Sequence, residues 1–349
     1  MKTVTIAIPS LHRPDLTSRC LQSIQAQTLP ADEWEVVIIE NEARPEQILP
    51  DPLPANARRI ELPDNQGTTG SINRCSSETE SRYILLLNND VELAPDYLAK
   101  LVKTLDADPT VGFATGKLRR ATRPTHLDGA GDAMLMAGAA YRLGHEDPDT
   151  GQFDEPLPVL SACGAAVLYR REAFEASGRL DEDFFAYLDD LDLALRVQLL
   201  GYSGAYRPDA VAYHVGSATS GSKTNAFVVE LVTRNQLFLL TKDYPRPVLL
   251  RLLPRVIVYQ ALWLIYAVQN DCAGAWLRGL WAGLRGARKM GEKHHDLMAK
   301  RRVTYGGFLK RLRASERQIY DWQQTAASRS NLLKLYFGLF GKPKTPGNA

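Results

Sequence analysis

The 349-residue sequence predicts an α/β fold: a mostly parallel central sheet flanked by helices, followed by a C-terminal helical module. Three observations carry this. From Val4 to Asp106, short apolar β-rich runs alternate with amphipathic helical stretches, the pattern of successive strand–helix units. The runs Trp34–Asn41 and Arg82–Asn88 are apolar without alternation, as in strands covered on both faces. Beyond Thr241 the strand signals stop and the charge reverses. Residues 1–241 hold 22 Lys/Arg against 34 Asp/Glu, whereas residues 242–317 hold 16 against 5.

In chain order, Val4–Ser10 reads as a first strand ending at a proline turn. Asp15–Gln27 follows as a helix, with Leu16, Cys20, Leu21 and Ile24 at helical spacing. Trp34–Asn41 is the second strand, Ala57–Leu62 the third and Arg82–Asn88 the fourth. A proline-rich loop (Pro45, Pro50, Pro52, Pro54) separates the second and third. Asp64–Gly70 reads as a turn, Ser71–Glu80 and Pro95–Asp106 as helices. Val111–Gly151 is glycine-rich and irregular. Val159–Arg170 reads as a strand, Arg171–Ser177 as a short helix, Asp181–Gly201 as containing a longer one, and Ala210–His214 as a last short strand.

Val248–Val268 is strongly apolar but interrupted by Arg251, Pro254 and Arg255. The clean run that remains is about a dozen residues against roughly 20 for a bilayer span, so a membrane-spanning helix is not expected. Ala275–Met290 carries Leu and Trp with Arg278, Arg285, Arg288 and Lys289, which fits a helix lying in a membrane interface; a helical hairpin packed on the body or on a second subunit is the other reading. Met1–Ser10 contains no signal-peptide apolar segment. The four cysteines lie far apart with no CxxC pair, so a cytoplasmic, reducing setting is expected.

Four segments carry chemistry. In LLLNNDVEL, an apolar strand delivers Asp90 to its carboxyl end, where ligands of parallel sheets bind. A magnesium or manganese ion needs only one or two protein carboxylates, which Asp90 could supply; a solvated turn cap is the alternative. In FFAYLDDLDLALR, Asp189, Asp190 and Asp192 fall within four positions. Such a cluster can raise a carboxyl pKa and suit a general base, or simply favour a helix N-terminus. His214 at a strand end is a further candidate cation ligand, though a lone histidine is more often structural. DNQGTTGSINRC is neither a Walker loop nor GxGxxG, but Gly67 and Gly70 would allow close approach of backbone to a ligand.

In order and spacing, the segments IAIPSLHRPDL, VVIIENEA, DNQGTTGSINRC, ILLLNNDVEL, SACGAAVLYRREAF, GRLDEDFFAYLDDLDLALR and AYHVGSATSG resemble the family 2 glycosyltransferases of the GT-A fold, in particular a rhamnosyltransferase and galactofuranosyltransferase-like branch. The resemblance covers about residues 3–221. It implies a Rossmann-like nucleotide-sugar-binding half at 1–115 and an acceptor-binding half at 116–241; charge and composition place the basic amphipathic helical module at 242–340 and a disordered tail, GKPKTPGNA, at 341–349. The resemblance further implies donor-site residues Pro9, Ser10, Arg13, Glu40, Asn65, Gly70, Asn73, Asn88 and Asn89. Glu40 stands where the family usually has an aspartate at the base. Asn88 replaces the first acid of the family's Asp-x-Asp motif. Asp90 and His214 are then the expected ligands of Mg2+ or Mn2+, Asp190 the expected base, and Asp189 its neighbour that orients or tunes it.

The implied activity is inverting transfer of a sugar, L-rhamnose from dTDP-L-rhamnose first and a UDP-sugar as the alternative, to a saccharide or polyprenyl-linked acceptor at the inner face of the membrane. Peripheral contact with anionic lipid and a homo-oligomer are expected partners. The basic module carries no nucleic-acid reader motif, so no nucleic acid is expected. A nucleotidyltransferase would want a glycine-rich phosphate loop after the first strand, which IPSLHRPDL lacks. The remaining alternative is a non-catalytic nucleotide- or carbohydrate-binding module.

Overall fold

Apolar residues of even and odd parity in the first strands face opposite ways, and both sides are covered. In a computed structural model describing residues 1–49, 51–216, 225–327 and 329–344, β1 (Lys2–Ser10) leads into α1 (Pro14–Gln25) and β2 (Trp34–Glu40). Then follow β3 (Ala57–Glu61), α2 (Gly67–Ser77), β4 (Ser81–Leu87), β5 (Val91–Leu93) and α3 (Tyr97–Ala107). Ile6, Ile8 and Leu85 pack with Cys20 and Ile24 of α1 and Leu101 of α3. Ala7, Val37 and Leu86 pack on the other side with Ile72 of α2. β3, β2, β1 and β4 lie side by side and parallel.

The stretch 111–151, expected to be irregular, instead supplies β6 (Val111–Arg120), β7 (Arg123–Gly129), β8 (Asp132–Met134) and β9 (Ala140–Arg142). Its glycines disguise the strands. A Cβ on Gly116 would stand 2.1 Å from the Ala210 carbonyl oxygen, so glycine lets two backbones approach within the sheet. The single strand expected at 159–170 is two, β10 (Leu157–Val159) and β11 (Ala166–Arg170), with the Leu160–Ala165 turn between them. After α4 (Arg171–Ala176), α5 (Asp189–Leu199) begins only at the acidic cluster, and β12 (Ser203–His214) is longer than the expected 210–214. β11 is antiparallel to both β4 and β6, and β6 runs parallel to β12. The helix expected from Ser71 begins at Gly67, inside the expected turn. The expected boundaries at 115 and 241 fall inside β6 and inside the next helix.

That helix, α6 (Ala226–Asp243), drew no expectation; it is followed by α7 (Arg246–Gln269), α8 (Ala273–Lys300), α9 (Tyr305–Thr325) and α10 (Asn331–Phe340). Lys242 ties α6 to the α/β body through Asp181, 2.6 Å away, and Asp192. α9 holds the β8–β9 hairpin, Ser315 Oγ accepting from Met134 N at 2.7 Å and Glu316 Oε1 from Met136 N at 3.1 Å. The interruption of the apolar run at Arg251, Pro254 and Arg255, from which no bilayer-long helix was expected, does not shorten the helix. α7 runs unbroken through that proline, and by length and composition it could cross a bilayer. Arg255 does not interrupt its apolar face because its guanidinium turns inward to Glu316. One side of α7 (Val248, Leu252, Val256, Tyr259) is buried against the body. The opposite side, Leu250, Ile257, Ile265 and Val268, is exposed. The interfacial stretch expected at 275–290 lies within α8. Of the expected tail, 345–349 lies outside the described residues, as do Pro50 of the proline-rich loop and 217–221 of the His214 segment.

Candidate active site

Parallel strands present their carboxyl ends together, so β1, β2 and β4 bring their last residues to one edge. Ser10 of β1 pairs in register with Glu40 of β2. Glu40 is buried; burial pushes its carboxyl above the ordinary value, against a hydrogen bond from Ser10. Asn41, one residue on, organises the next loop. Its Oδ1 accepts from Gln66 N at 2.8 Å, and its Nδ2 donates to Asn65 Oδ1 at 2.9 Å. Gly67 then sits at φ +69°, and a Cβ there would stand 2.2 Å from the Phe185 carbonyl oxygen. Only glycine lets this loop close on the segment leading to Asp189 and Asp190. Pro9 lies at the end of β1, beside Ser10. Arg13 follows, bonded to Asp15 at 2.9 Å and within electrostatic reach of Asp90.

β4 ends at Leu87, and Asn88, Asn89 and Asp90 turn at its tip. Asn88 is half-buried there. Asn89 Nδ2 donates to Thr17 Oγ1 at 3.1 Å, so its amide turns toward α1. Asp90 Oδ1 lies 3.3 Å from His214 Nε2 at the end of β12, and its Oδ2 accepts from Gly216 N at 3.1 Å. Burial alone would raise the Asp90 carboxyl; the His214 ring and the Gly216 N–H outweigh it and hold it below the ordinary value. Burial alone would likewise lower the imidazole, but Asp128 and Asp90 outweigh it and raise it. His214 Nδ1 is 2.7 Å from Asp128 Oδ2.

Asp128 is fully buried on β7 and shared by several basic groups. Arg142 Nη1 is 2.5 Å from Oδ2, and Arg120 Nη1 and His145 Nδ1 are 3.6 and 3.7 Å from Oδ1. Against the opposing effect of burial, Arg142 and His214 hold this carboxyl far below the usual range. Arg142 also donates to Cys163 Sγ at 2.6 Å and approaches Asp132 Oδ1 to 3.6 Å. Ligand atoms of Asp132, Cys163 and Asp190 all lie within 4.8 Å of one another. A chain of charged contacts thus runs from Asp90 through His214, Asp128 and Arg142 to the neighbourhood of Asp190. Cation-ligating atoms thus converge at two places, the Asp132–Cys163–Asp190 group beside Arg142 and the facing Asp90–His214 pair.

Asp190 opens α5. Its Oδ2 accepts from Gly164 N at 3.0 Å and its Oδ1 from Leu191 N at 2.8 Å. Asp189 is buried, and burial together with the Asp190 charge raises its carboxyl well above the usual value. The approach is strained: Phe185, Tyr187 and Leu188 have φ of 65°, 66° and 61°. Such backbone persists only where surroundings over-determine it. Here Asn235 of α6 donates to the carbonyls of Phe184, Ala186 and Tyr187 at 3.0, 2.9 and 2.7 Å.

The profile described as "Glycosyl transferase family 2" matches residues 5–178. The chain belongs to this family. The O-antigen biosynthesis protein RfbC of Myxococcus xanthus is 32% identical over 208 residues, 57% of this chain and 16% of that protein. The N-acetylglucosaminyl-diphospho-decaprenol L-rhamnosyltransferase of Mycobacterium tuberculosis is 28% identical over 156 residues, 40% of this chain and 48% of that one. The chain therefore matches less than half the length of either relative. In fold it is similar to GalNAc-T7, solved with UDP, GalNAc and Mn2+, at a TM-score of 0.60 and 12% identity, over 83% of this chain and 58% of that one. The architecture is that of the GT-A glycosyltransferases.

In this member of the family, three expected donor-site residues are engaged elsewhere: Asn89 on Thr17, Asn73 and Gly70. Asn73 Nδ2 donates to Leu180 O at 2.9 Å and to Glu182 Oε1 at 3.0 Å, pinning α2 to the segment before α5. It borders a separate cavity of about 520 Å³ lined by Asp181, Lys242 and Lys293. Gly70 faces the Gln66 side chain within α2. Sequence reasoning missed Asp128, Arg142, Cys163 and Asn235. The one signal for the first was the run HLDGAGD, two acids bracketing glycines in a stretch read as loop.

Proposed function

We propose that this glycosyltransferase moves a sugar from a nucleoside diphosphate to an acceptor hydroxyl by one in-line displacement, with inversion at the anomeric carbon. What carries the reading is the juxtaposition just described: a carboxylate–imidazole pair and a backbone-oriented carboxylate joined by one buried polar chain. Asp190 takes the proton from the attacking hydroxyl, its two oxygens held by Gly164 N and Leu191 N. Pro9, Ser10, Arg13, Glu40, Asn65 and Asn88 line the donor nucleotide side at the strand ends.

The donor set fits a hard divalent cation, because Asp90 Oδ1 and His214 Nε2 face each other while Nδ1 is committed to Asp128. Bound there, Mg2+ or Mn2+ would neutralise charge on the departing nucleoside diphosphate. The donor on this reading is dTDP-L-rhamnose, with a UDP-sugar second; the name of the mycobacterial relative, an L-rhamnosyltransferase, supports the sugar. A donor panel with Mn2+ or Mg2+, read as nucleoside diphosphate release with saccharide or polyprenyl-linked acceptors, tests the reading. Release with no donor, at any acceptor, would leave a binding module.

The acceptor is lipid-linked on this reading, and the C-terminal helices rest peripherally on an anionic membrane at its inner face. Two exposed stripes support it: Leu250, Ile257, Ile265 and Val268 on α7, and Leu277, Trp281 and Leu284 beside Arg278, Arg285 and Arg288 on α8. Each arginine near an anionic surface adds about 1 kcal/mol. The full chain should float with phosphatidylglycerol liposomes, and Ile257→Glu with Trp281→Glu should abolish flotation. Flotation unchanged by both substitutions rejects the contact; dimers in sedimentation that they dissociate would assign the face to a second copy.

A further inference from the structure

A histidine that binds a cation through one nitrogen needs the other nitrogen to carry the proton, and something must decide which is which. His214 is buried, so water does not decide it. Nδ1 faces Asp128 Oδ2 at 2.7 Å, while Nε2 faces Asp90 Oδ1 at 3.3 Å. The shorter contact is to the carboxylate that is itself fixed. Asp128 sits on β7, which pairs with β6, and β6 pairs with the His214 strand β12. Its carboxylate is clamped by Arg142, and a second cation, Arg120, stands behind it. Among the described residues Asp90 has fewer partners, and it lies on the tip of a turn.

We propose that Asp128 is the positioning residue of the cation site: it holds the proton on Nδ1 of His214, so that the Nε2 lone pair is presented to a divalent cation shared with Asp90. Arg142 holds the Asp128 carboxylate aimed at the ring, and its other arm reaches Cys163 beside Asp190. Asp128 touches neither donor nor acceptor in this scheme. It acts through His214 and nothing else. The inference rests on the reading of Asp90 and His214 as the cation pair.

Mn2+ binding by the full chain, followed by the paramagnetic resonance of free Mn2+, tests both layers without turnover. Asp128→Asn keeps side-chain volume but loses the charged partner of the imidazole, and should weaken Mn2+ about 10–100-fold, as removal of an outer partner of a ligating histidine does. His214→Ala should weaken it at least as far. The double variant should bind no more weakly than His214→Ala alone, since Asp128 has no other route to the ion. Wild-type affinity in Asp128→Asn, or losses that multiply in the double variant, overturns the proposal. If Asp128→Asn does not fold, nitrogen–proton correlations of the wild-type imidazole decide: a proton on Nδ1 of the neutral ring is expected, and one on Nε2 overturns it. Wild-type Mn2+ affinity in both Asp90→Ala and His214→Ala would instead remove the cation pair, and this inference with it.

Discussion

Asp190→Asn should lower turnover by about 10²–10⁴-fold, the usual contribution of a general base, while leaving donor affinity close to that of the wild type. The substitution preserves shape, removes the capacity to accept a proton and, because one oxygen becomes an NH2 donor, gives up one of the two backbone hydrogen bonds. Both Asp190 oxygens are met by backbone donors, Gly164 N at 3.0 Å and Leu191 N at 2.8 Å, which fix the carboxylate without filling all its lone pairs. It is also the less buried of the two neighbouring acids. Burial and the Asp190 charge raise the Asp189 carboxyl well above its usual value, so Asp189 resists ionising next to its neighbour. Asp189→Asn should therefore cost far less than Asp190→Asn. Nucleoside diphosphate release gives turnover and calorimetry gives donor affinity. Normal turnover by Asp190→Asn, or the larger loss from Asp189→Asn, would move the base elsewhere.

The parallel half of the sheet was legible because its strands advertise themselves. WEVVIIE and RYILLLN are apolar on both faces, and the polar residues that follow them fall where such sheets bind ligands. Asp90, Asp190 and His214 stood out as candidates for the same reason: each lies at or just beyond the end of a strand or in the first turn of a helix. Asp128, Arg142 and Cys163 were not, because their meaning lies in pairing across distant segments. Nothing in HLDGAGD says that its first acid will be sealed under two arginines and two histidines. β6 was hidden by Gly112 and Gly116, which lower strand propensity where a neighbour presses on the backbone. α7 misled in the opposite direction. Pro254 and Arg255 look like interruptions, yet the helix absorbs the proline and turns the arginine inward to Glu316. Asn73 and Asn89 fit a donor loop by position; their amides instead brace the scaffold that holds it.

Asp90→Ala should abolish the dependence of donor binding on Mn2+, so that the variant with Mn2+ binds donor no better than the wild type with EDTA. Without Asp90, His214 alone faces the ion, and a single imidazole is a poor site for a cation that prefers oxygen. The same pair sets the direction of the pH response. Asp128 and Asp90 outweigh burial and raise the His214 pKa above its usual 6.5. A raised histidine stabilises the cation-free fold fully below the unfolded value, and that contribution is lost as pH rises through the folded value. The cation acts oppositely: it needs the bare Nε2, so its binding strengthens as the ring loses its proton. At about 100-fold above its dissociation constant a ligand adds about 2.7 kcal/mol to stability. The Mn2+-induced rise in Tm should accordingly be larger at pH 8 than at pH 6 in the wild type and absent in Asp90→Ala. An equal rise at both pH values, or one that survives loss of Asp90, would mean that the cation sits on other ligands.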